Sequence, residues 1–276
     1  MLKYSEVHSA ILEIQLRGKV LRFHTPGDYY PITYYEDVAN DLWEPHTVAF
    51  LERHVTNQTL FIDVGAATGI TTLFAAALGA RVVAFEPNPF VFNSLVENIK
   101  LNGAGGQVEV QELALSDHND LIHFNADSDP EVISRIAVTG GEAYKNHEVK
   151  VRSIDQVLSE LSLPFREHGL MKMDIEGAEY RILSNPTSMS AISMSCSKLI
   201  FSLHPGFTFK QPGNKLLRLF LVAPRFVIVF KQHVEIFRVL KRLGSLEIYG
   251  MRKVSNPLLF AVLVSLGMRD WVLSFR

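Results

Sequence analysis

From Leu60 onward, short apolar runs alternate with longer amphipathic runs, and this alternation limits the possible folds more than any other feature. The runs from Leu60 to Val64 and from Arg81 to Phe85 predict buried strands. The stretch after each run predicts a helix, and the second helix begins at Asn88 and Pro89, a favoured pair for a helix start. A chain that alternates strands with helices builds a parallel sheet, because each helix returns the chain to the same end of the sheet. The pattern therefore predicts an α/β fold.

Later segments extend this pattern and indicate how the chain is organised. Residues 170–174 and 199–203 predict further buried strands, and residues 258–264 predict a strand near the end of the chain. Segments of alternating polarity around a polar loop predict a hairpin-type insertion. The predicted organisation is a cap segment over residues 1–58 and an α/β domain over residues 59–276, with the hairpin-type insertion at 118–154 and a basic, apolar insertion at 207–230.

The charge of the chain is unevenly distributed. The 276 residues are 47% hydrophobic and carry a formal net charge of −2, which argues against a disordered chain and against a nucleic-acid binder. Residues 205–276 contain 12 Lys and Arg against 3 Asp and Glu, a net charge of +9, so residues 1–204 carry −11. We therefore expect no nucleic-acid partner, and different partners for the two parts.

Cysteine content and the N-terminal sequence bear on the compartment. The only cysteine, Cys196, cannot form an intrachain disulfide, and no motif around it indicates a nucleophile, so we expect it to be a packing residue. The N-terminal MLKYSEVHSA lacks an apolar run of signal-peptide length. We expect a cytoplasmic protein.

The basic, apolar insertion at 207–230 has three interpretations. Four cationic side chains stand among leucines and phenylalanines, and Pro224 interrupts any single long helix. A segment of this kind can form a substrate lid, lie on an anionic membrane surface, or fold as a core helix and strand with solvated charges. The sequence leaves all three open, including peripheral membrane contact.

The segment between the first predicted strand and helix has the features of a nucleotide-binding loop. Gly65 and Gly69 let the backbone turn tightly, and Glu86 ends the next strand 21 residues after Gly65, where a carboxylate can accept hydrogen bonds from both ribose hydroxyls. The loop differs from the dinucleotide fingerprint, and it follows Asp63, whose carboxylate suits a sulfonium better than a pyrophosphate. This favours S-adenosylmethionine over NAD. A structural turn and a solvated Glu86 are the alternatives.

Five motifs in order resemble the FkbM family of S-adenosylmethionine-dependent methyltransferases, and Trp43 and Glu44 resemble a family segment upstream. The motifs are Phe61 to Gly69, Val83 to Pro87, Ala114 to Asp117, Lys172 to Glu179 and Leu203 to Pro205. The resemblance implies a Rossmann-like class I methyltransferase fold, with about seven mostly parallel strands flanked by helices and the last strand antiparallel. It implies that the cofactor lies at the carboxyl ends of the first strands, where topology also predicts a ligand.

The resemblance also implies which residues bind the cofactor. Asp63, Gly65, Ala66 and Gly69 would line its methionine part, and Glu86 would hold the ribose. The further cofactor-binding candidates are Glu44, Ala114 and Asp117, the last two at the adenine edge. Asp117 can equally well cap a turn.

The catalytic candidates are Asp174, Glu176 and His204, which follow the fourth and fifth predicted strands. Two close carboxylates can act as a base, orient an acceptor or hold a divalent metal, and a histidine suits proton removal from a hydroxyl. Asp174 can instead cap the helix that follows it. The sequence contains no cluster of His and Cys residues at the spacing of metal ligands, so it does not support a metal site. Family members often carry an acidic residue two positions before the histidine, where this chain has Ser202, which points to a changed acceptor, a dispensable metal or a lower activity.

The resemblance implies O-methylation of a hydroxyl on a sugar, glycan or secondary metabolite, with a small-molecule or glycan acceptor as the partner. Two alternatives stay open. The same fold can methylate nitrogen on a protein or small amine, although Asp174 to Gly177 replaces the Asn/Asp-Pro-Pro-aromatic run of a common nitrogen-methylating type. The chain can also be a non-catalytic module that binds the cofactor.

Overall fold

The computed structural model describes residues 10–25, 31–124, 147–161, 166–175, 178–204, 230–248, 253–265, 268 and 270–275. The chain divides into two compact units, Met1–Leu113 and Ala114–Arg276. Seven of the strands form one mostly parallel sheet that helices flank, which confirms the predicted α/β, Rossmann-like fold class. None of the helices in the described ranges is long and apolar enough to cross a membrane. The predicted domain boundaries stay predictions.

The first unit begins with a two-stranded hairpin. Strands β1 (Ala10–Leu16) and β2 (Lys19–Thr25) pair antiparallel, with Leu16 opposite Lys19. The two residues of the turn, Arg17 and Gly18, both have positive φ, at 49° and 77°. That geometry matches the twist of the flanking strands, as in the favoured two-residue hairpin turns. Helices α1 (Ile32–Ala39) and α2 (Pro45–His54) follow.

Three parallel strands and two helices complete the first unit. The strands are β3 (Leu60–Val64), β4 (Arg81–Phe85) and β5 (Val108–Gln111), in the order β3-β4-β5, and the helices are α3 (Ile70–Ala77) and α4 (Pro89–Leu101). Every residue of β3 is buried, as expected for a parallel strand that helices cover on both faces. Helix α4 begins as predicted, because the Asn88 side chain accepts hydrogen bonds from the amides of Phe90 and Val91.

The second unit begins with a three-stranded sheet. Strand β8 (His147–Ser153) pairs antiparallel with β7 (Asp120–Phe124) and parallel with β6 (Ala114–Ser116). The alternating segments that predicted a hairpin-type insertion therefore pair with each other, although residues 125–146 between them lie outside the described residues. Helix α5 (Ile154–Glu160) follows.

The rest of the second unit supplies four strands of the main sheet. Strands β9 (Gly169–Met173) and β10 (Lys198–Ser202) are parallel neighbours. Strand β12 (Asp270–Phe275) runs antiparallel to both β10 and β11 (Gly244–Ile248), so the last strand is antiparallel as predicted. The helices are α6 (Glu179–Ser184), α7 (Pro186–Ser195), α8 (230–243) and α9 (Pro257–Ser265).

Helix α9 occupies the residues for which the sequence predicted a strand, and that prediction was wrong. The Asn256 side chain accepts hydrogen bonds from the amides of Leu258 and Leu259, at 2.8 and 3.2 Å, and Pro257 follows it. An Asn followed by Pro is a strong helix start, and it determines the local structure of a run whose apolar residues show no helical period. The true last strand is β12, whose Trp271 is buried.

Candidate functional site

The loop after β3 is tight and is tied to the end of β4. Gly65, Ala67 and Gly69 all have positive φ, at 85°, 50° and 98°. The amides of Gly65 and Ala66 both donate to the carbonyl oxygen of Phe85, at 3.0 Å each. Positive φ is a conformation that glycine adopts without strain, so the two glycines of the predicted nucleotide-binding loop are there for a conformational reason.

Glu86 follows β4, and its carboxylate is oriented by the backbone. One oxygen, Oε2, accepts from the amide of Ala67 at 2.9 Å, and the other, Oε1, accepts from the amide of Asn88 at 2.9 Å. The residue is 8% exposed. These two backbone bonds fix the plane of the carboxylate, which can accept about four hydrogen bonds in all. This arrangement fits the predicted role of Glu86.

Asp63 is buried and anchors helix α3. Its Oδ2 accepts hydrogen bonds from the hydroxyls of Thr71 and Thr72, at 2.6 and 2.7 Å. Both threonines lie in the first turn of α3, so the carboxylate joins the end of β3 to the start of that helix. The sequence predicted a residue that lines the cofactor, and the structure adds a structural function that the motif did not suggest.

Glu44 precedes helix α2 in a left-handed conformation, with φ 39° and ψ 51°. This conformation is uncommon for a residue with a β carbon, and residues held in it are concentrated at functional sites. The carbonyl oxygen of Glu44 accepts from the amide of Val48 at 3.1 Å, which begins the helix. Glu44 stays a predicted cofactor-binding residue.

Ala114 and Asp117 lie in the second unit, at and just after β6. The Asp117 carboxylate bonds to the ring of His118 at 2.8 Å and accepts from the hydroxyl of Ser116 at 3.2 Å. Burial acts to raise the pKa of Asp117, but hydrogen bonds with His118, Asn185 and Ser116 outweigh it, so the pKa lies below its ordinary value. These local bonds fit the turn-capping alternative.

Three ionisable side chains of the second unit come together at the ends of β9 and β10. Nδ1 of His204 lies 3.0 Å from Oε1 of Glu179, and Nε2 of the same ring lies 3.6 Å from Oδ1 of Asp174. The side chains of Asp174, Glu179 and His204 are 17%, 0% and 7% exposed. The predicted pair of Asp174 and His204 is therefore brought together, whereas Glu176 lies outside the described residues.

Glu179 is the member of this cluster that was not predicted as a site residue. It begins α6, and its Oε1 also accepts from the amide of Ile175 at 2.9 Å. The sequence feature that could have identified Glu179 as a site residue is its place as the third acid in the motif from Lys172 to Glu179. Sequence spacing alone does not show that this acid turns towards a histidine 25 positions later.

Each ring nitrogen of His204 lies near a carboxylate, Nδ1 near Glu179 and Nε2 near Asp174. The tautomer with its proton on Nδ1 donates to Oε1 of Glu179. Oδ1 of Asp174 is buried and has no hydrogen-bond partner among the described residues. One ligand atom from each of the three residues lies within 4.8 Å of the others. The arrangement can therefore take up a proton or hold a cation.

Two other candidate groups nearby have structural functions. The hydroxyl of Tyr180 lies 2.8 Å from Nε2 of His233 in the core, and burial lowers the pKa of His233 to about 4, so its ring is neutral at pH 7. Burial raises the pKa of the Cys196 thiol, which keeps it protonated and unreactive. The expected packing role of Cys196 agrees with its complete burial.

Comparison with known proteins identifies the family. A family model described as a methyltransferase FkbM domain matches residues 63–245, which is more than half of the chain. The chain belongs to the FkbM methyltransferase family. The resemblance seen in the five motifs is thereby confirmed, and so is the prediction of a methyltransferase domain.

Individual relatives of this FkbM chain are distant or match only part of it. Ribosomal protein L11 methyltransferase of Bacillus pumilus (strain SAFR-032) is 40% identical over 68 residues, which make up 24% of this chain and 22% of that protein. A SAM-dependent methyltransferase structure from Agrobacterium tumefaciens is 11% identical with a TM-score of 0.44, covering 86% of this chain and 60% of that one. Methyltransferase FkbM from Methylobacillus flagellatus KT is 18% identical with a TM-score of 0.35, covering 62% and 48%. The FkbM chain thus spans 22% to 60% of the length of these proteins.

Proposed function

We propose that the protein is an S-adenosylmethionine-dependent methyltransferase that methylates a hydroxyl oxygen on a sugar, glycan or secondary metabolite. The observation that carries the oxygen acceptor is the pairing of Nε2 of His204 with a buried oxygen of Asp174 at 3.6 Å. Hydroxyl groups are poor nucleophiles until they lose a proton. This pair can accept a hydrogen bond from the hydroxyl and assist removal of its proton.

The cofactor is assigned to residues of the first unit. Gly65, Ala66 and Gly69 form the tight loop for its methionine part, and Glu86 accepts from the ribose hydroxyls. Asp63 holds the loop by anchoring α3 through two threonine hydroxyls. When bound, S-adenosylmethionine supplies a methyl group on a sulfonium, and transfer to a hydroxyl forms a C–O bond, breaks a C–S bond and releases one proton.

The acceptor is assigned to residues of the second unit. Asp174 and His204 bind the acceptor hydroxyl and assist loss of its proton, and Glu179 keeps the His204 ring in one orientation through Nδ1. Positioning of the acceptor is expected to provide much of the rate, because displacement at a methyl group needs an aligned nucleophile. Glu176 is a further candidate for orienting the acceptor.

Two variants separate cofactor binding from proton removal. Glu86→Ala is expected to weaken S-adenosylmethionine binding about 10- to 100-fold in calorimetry, since it removes charge-assisted hydrogen bonds. His204→Ala is expected to lower turnover on a hydroxylated acceptor at least about 100-fold with almost unchanged cofactor affinity. The exposed residues Glu109 and His168 provide the matched controls Glu109→Ala and His168→Ala, which should behave like the wild type.

Each result has a clear contradicting outcome. If the wild-type protein does not bind S-adenosylmethionine, the proposal is wrong. If it binds the cofactor but transfers no methyl group to any hydroxylated acceptor, it is a binding module. If His204→Ala turns over normally, the assignment of the acceptor site is wrong. Mass spectrometry of glycans and metabolites from cells with and without the protein would identify the acceptor by a lost methyl group.

Methylation of a protein or small amine on nitrogen is the second candidate. It is favoured by the similarity to a protein whose name describes methylation of ribosomal protein L11, although that similarity covers 24% of this chain. An amine also must lose a proton, so the same cluster could serve it. Proteomic detection of a methylated lysine or N-terminus that disappears with the protein, with no change in the glycans and metabolites, would favour this candidate.

The partner and location are proposed from charge. The net charge of +9 over residues 205–276 suits an anionic acceptor or an anionic membrane surface, and we propose a cytoplasmic protein with peripheral membrane contact through 207–230. Residues 207–229 of that segment lie outside the described residues. Flotation with anionic liposomes that is unchanged after deletion of residues 210–230 would contradict membrane contact through this segment.

A further inference from the structure

We propose that Asp174 and His204, with Glu179 holding the ring, bind one divalent cation through Oδ1 and Nε2. The inference deepens the proposed function, because the ion would act on the acceptor hydroxyl. The site itself rests only on the geometry of side chains within the second unit.

A buried oxygen of Asp174 points at the ring of His204 without bonding to it. Oδ1 of Asp174 lies 3.6 Å from Nε2 of His204, a distance too long for a hydrogen bond. Oδ1 is buried and has no hydrogen-bond partner among the described residues, which is costly for a carboxylate oxygen. A cation bound to this oxygen would remove that cost, and Nε2 of His204 lies close enough to serve as a second ligand.

The distance between Oδ1 of Asp174 and Nε2 of His204 also suits two ligands of one ion. Two ligand atoms that each lie about 2.1 Å from one ion are about 3.0 to 3.6 Å apart, depending on the angle between them. The observed separation is therefore compatible with binding of an ion without a large rearrangement. A carboxylate oxygen and an imidazole nitrogen favour Mn²⁺, Fe²⁺, Co²⁺ or Zn²⁺ over Ca²⁺, which prefers oxygen ligands only.

The ring of His204 is held on its other side by the carboxylate of Glu179. Histidines that bind metals almost always donate their other ring N–H to a carboxylate or a carbonyl, which fixes the tautomer and the ring plane. Glu179 supplies that carboxylate at 3.0 Å, and Glu179 is itself fixed by the amide of Ile175. Catalytic metal sites keep a position for a substrate oxygen, and the acceptor hydroxyl would take such a position here. A divalent ion would polarise that hydroxyl and lower its pKa, and the proton would pass to solvent.

Mn²⁺ is the probe for the experiment, since its binding to the full-length protein can be followed by electron paramagnetic resonance without any turnover. We expect one Mn²⁺ per chain. Asp174→Asn and His204→Gln should each weaken binding at least about 100-fold, and Glu179→Gln about 10- to 100-fold. The matched controls Asp120→Asn, His168→Gln and Glu167→Gln change exposed residues of the same types in the same unit and should not alter binding.

Circular dichroism and thermal unfolding check that each variant is folded. If Mn²⁺ does not bind, or binds equally to the wild type and to Asp174→Asn, the metal site is wrong. Full turnover after treatment with a chelator also contradicts it and makes His204 a direct base, while the proposed methyl transfer stands. If the wild-type protein does not bind S-adenosylmethionine, the proposed function is wrong. The measurement of Mn²⁺ binding still tests the metal site in that case.

Discussion

The two groups of candidate residues are built in different ways. In the first unit, the carboxylates are held by groups of the protein itself, because Glu86 accepts from two backbone amides and Asp63 from two threonine hydroxyls. In the second unit, Asp174 directs a buried oxygen at His204 across 3.6 Å without a hydrogen bond. The acids of the first group brace the loop and the start of α3 through bonds to backbone amides and threonine hydroxyls, whereas the acids of the second group surround a histidine ring. Structural acids should therefore stabilise the fold, and functional acids should not.

The largest expected effect contrasts these two kinds of acid. Asp63→Ala removes two charge-assisted hydrogen bonds and leaves two buried hydroxyls without their acceptor, so it should lower the free energy of unfolding by about 4 kcal/mol. Asp174→Ala removes an oxygen that lacks a partner, so it should change that free energy by less than about 1 kcal/mol. Denaturant unfolding without added cofactor or metal measures both. Equal losses would show that the two networks do not differ.

The glycine at the start of α3 tests how tightly the first network is built. Gly69 has φ 98°, and an added β carbon would lie 2.6 Å from Cδ1 of Leu95. Gly69→Ala therefore combines backbone strain with overpacking and should cost about 3 kcal/mol. Gly103 has φ 64° and open space around it, so Gly103→Ala should cost about 1 kcal/mol from strain alone. Gly105→Ala, with open space and no positive φ, is the control and should lie within about 0.5 kcal/mol of the wild type.

What could be predicted from the sequence follows the same division. The strands, the tight loop and the position of Glu86 after β4 could be predicted, because each depends on residues within a short stretch of chain. Hydrophobic periodicity and the conformation of glycine are properties of such short stretches. Asp174 and His204 could be placed at strand ends for the same reason. The contact between Glu179 and His204 could not be predicted, since it joins residues 25 positions apart and depends on side-chain directions. Residues 258–264 were predicted wrongly because a uniformly apolar run shows no period.

Low pH should lower the free energy of unfolding through His233, which lies in the second unit. The pKa of His233 is about 4 in the folded protein and about 6.5 in an unfolded chain. Between these values the unfolded chain binds a proton that the folded protein does not, so stability falls as the pH drops from about 6.5 towards 4. At pH 5 the loss from this residue should be about 2 kcal/mol. The difference in unfolding free energy between pH 7 and pH 5 should shrink by that amount in His233→Gln, which can still accept from Tyr180, and an unchanged difference would contradict the assignment.

The smallest effects compare two helix starts of the same design, one in each unit. Asn88 caps α4, and Asn185 caps α7 through hydrogen bonds from the amides of Thr187 and Ser188. Each Asn→Ala variant should lower the free energy of unfolding by about 1 kcal/mol. The Asn185 side chain also acts on the carboxylate of Asp117, whose pKa it helps to lower.

Aspartate caps a helix as well as asparagine does, so the charges next to each cap decide the effect of an Asn→Asp change. Asn88→Asp keeps the acceptor for both amides but places a new carboxylate beside that of Glu86, whose Oε1 accepts from the backbone amide of residue 88, so it should be destabilising. Asn185→Asp should remain destabilising, because it removes the amide donor and places a second negative charge beside Asp117. The added Asp117→Asn change should then restore the stability of Asn185→Asp, and failure of this double variant to recover would show that Asn185 acts only as a cap. Chemical denaturation of these three variants decides it.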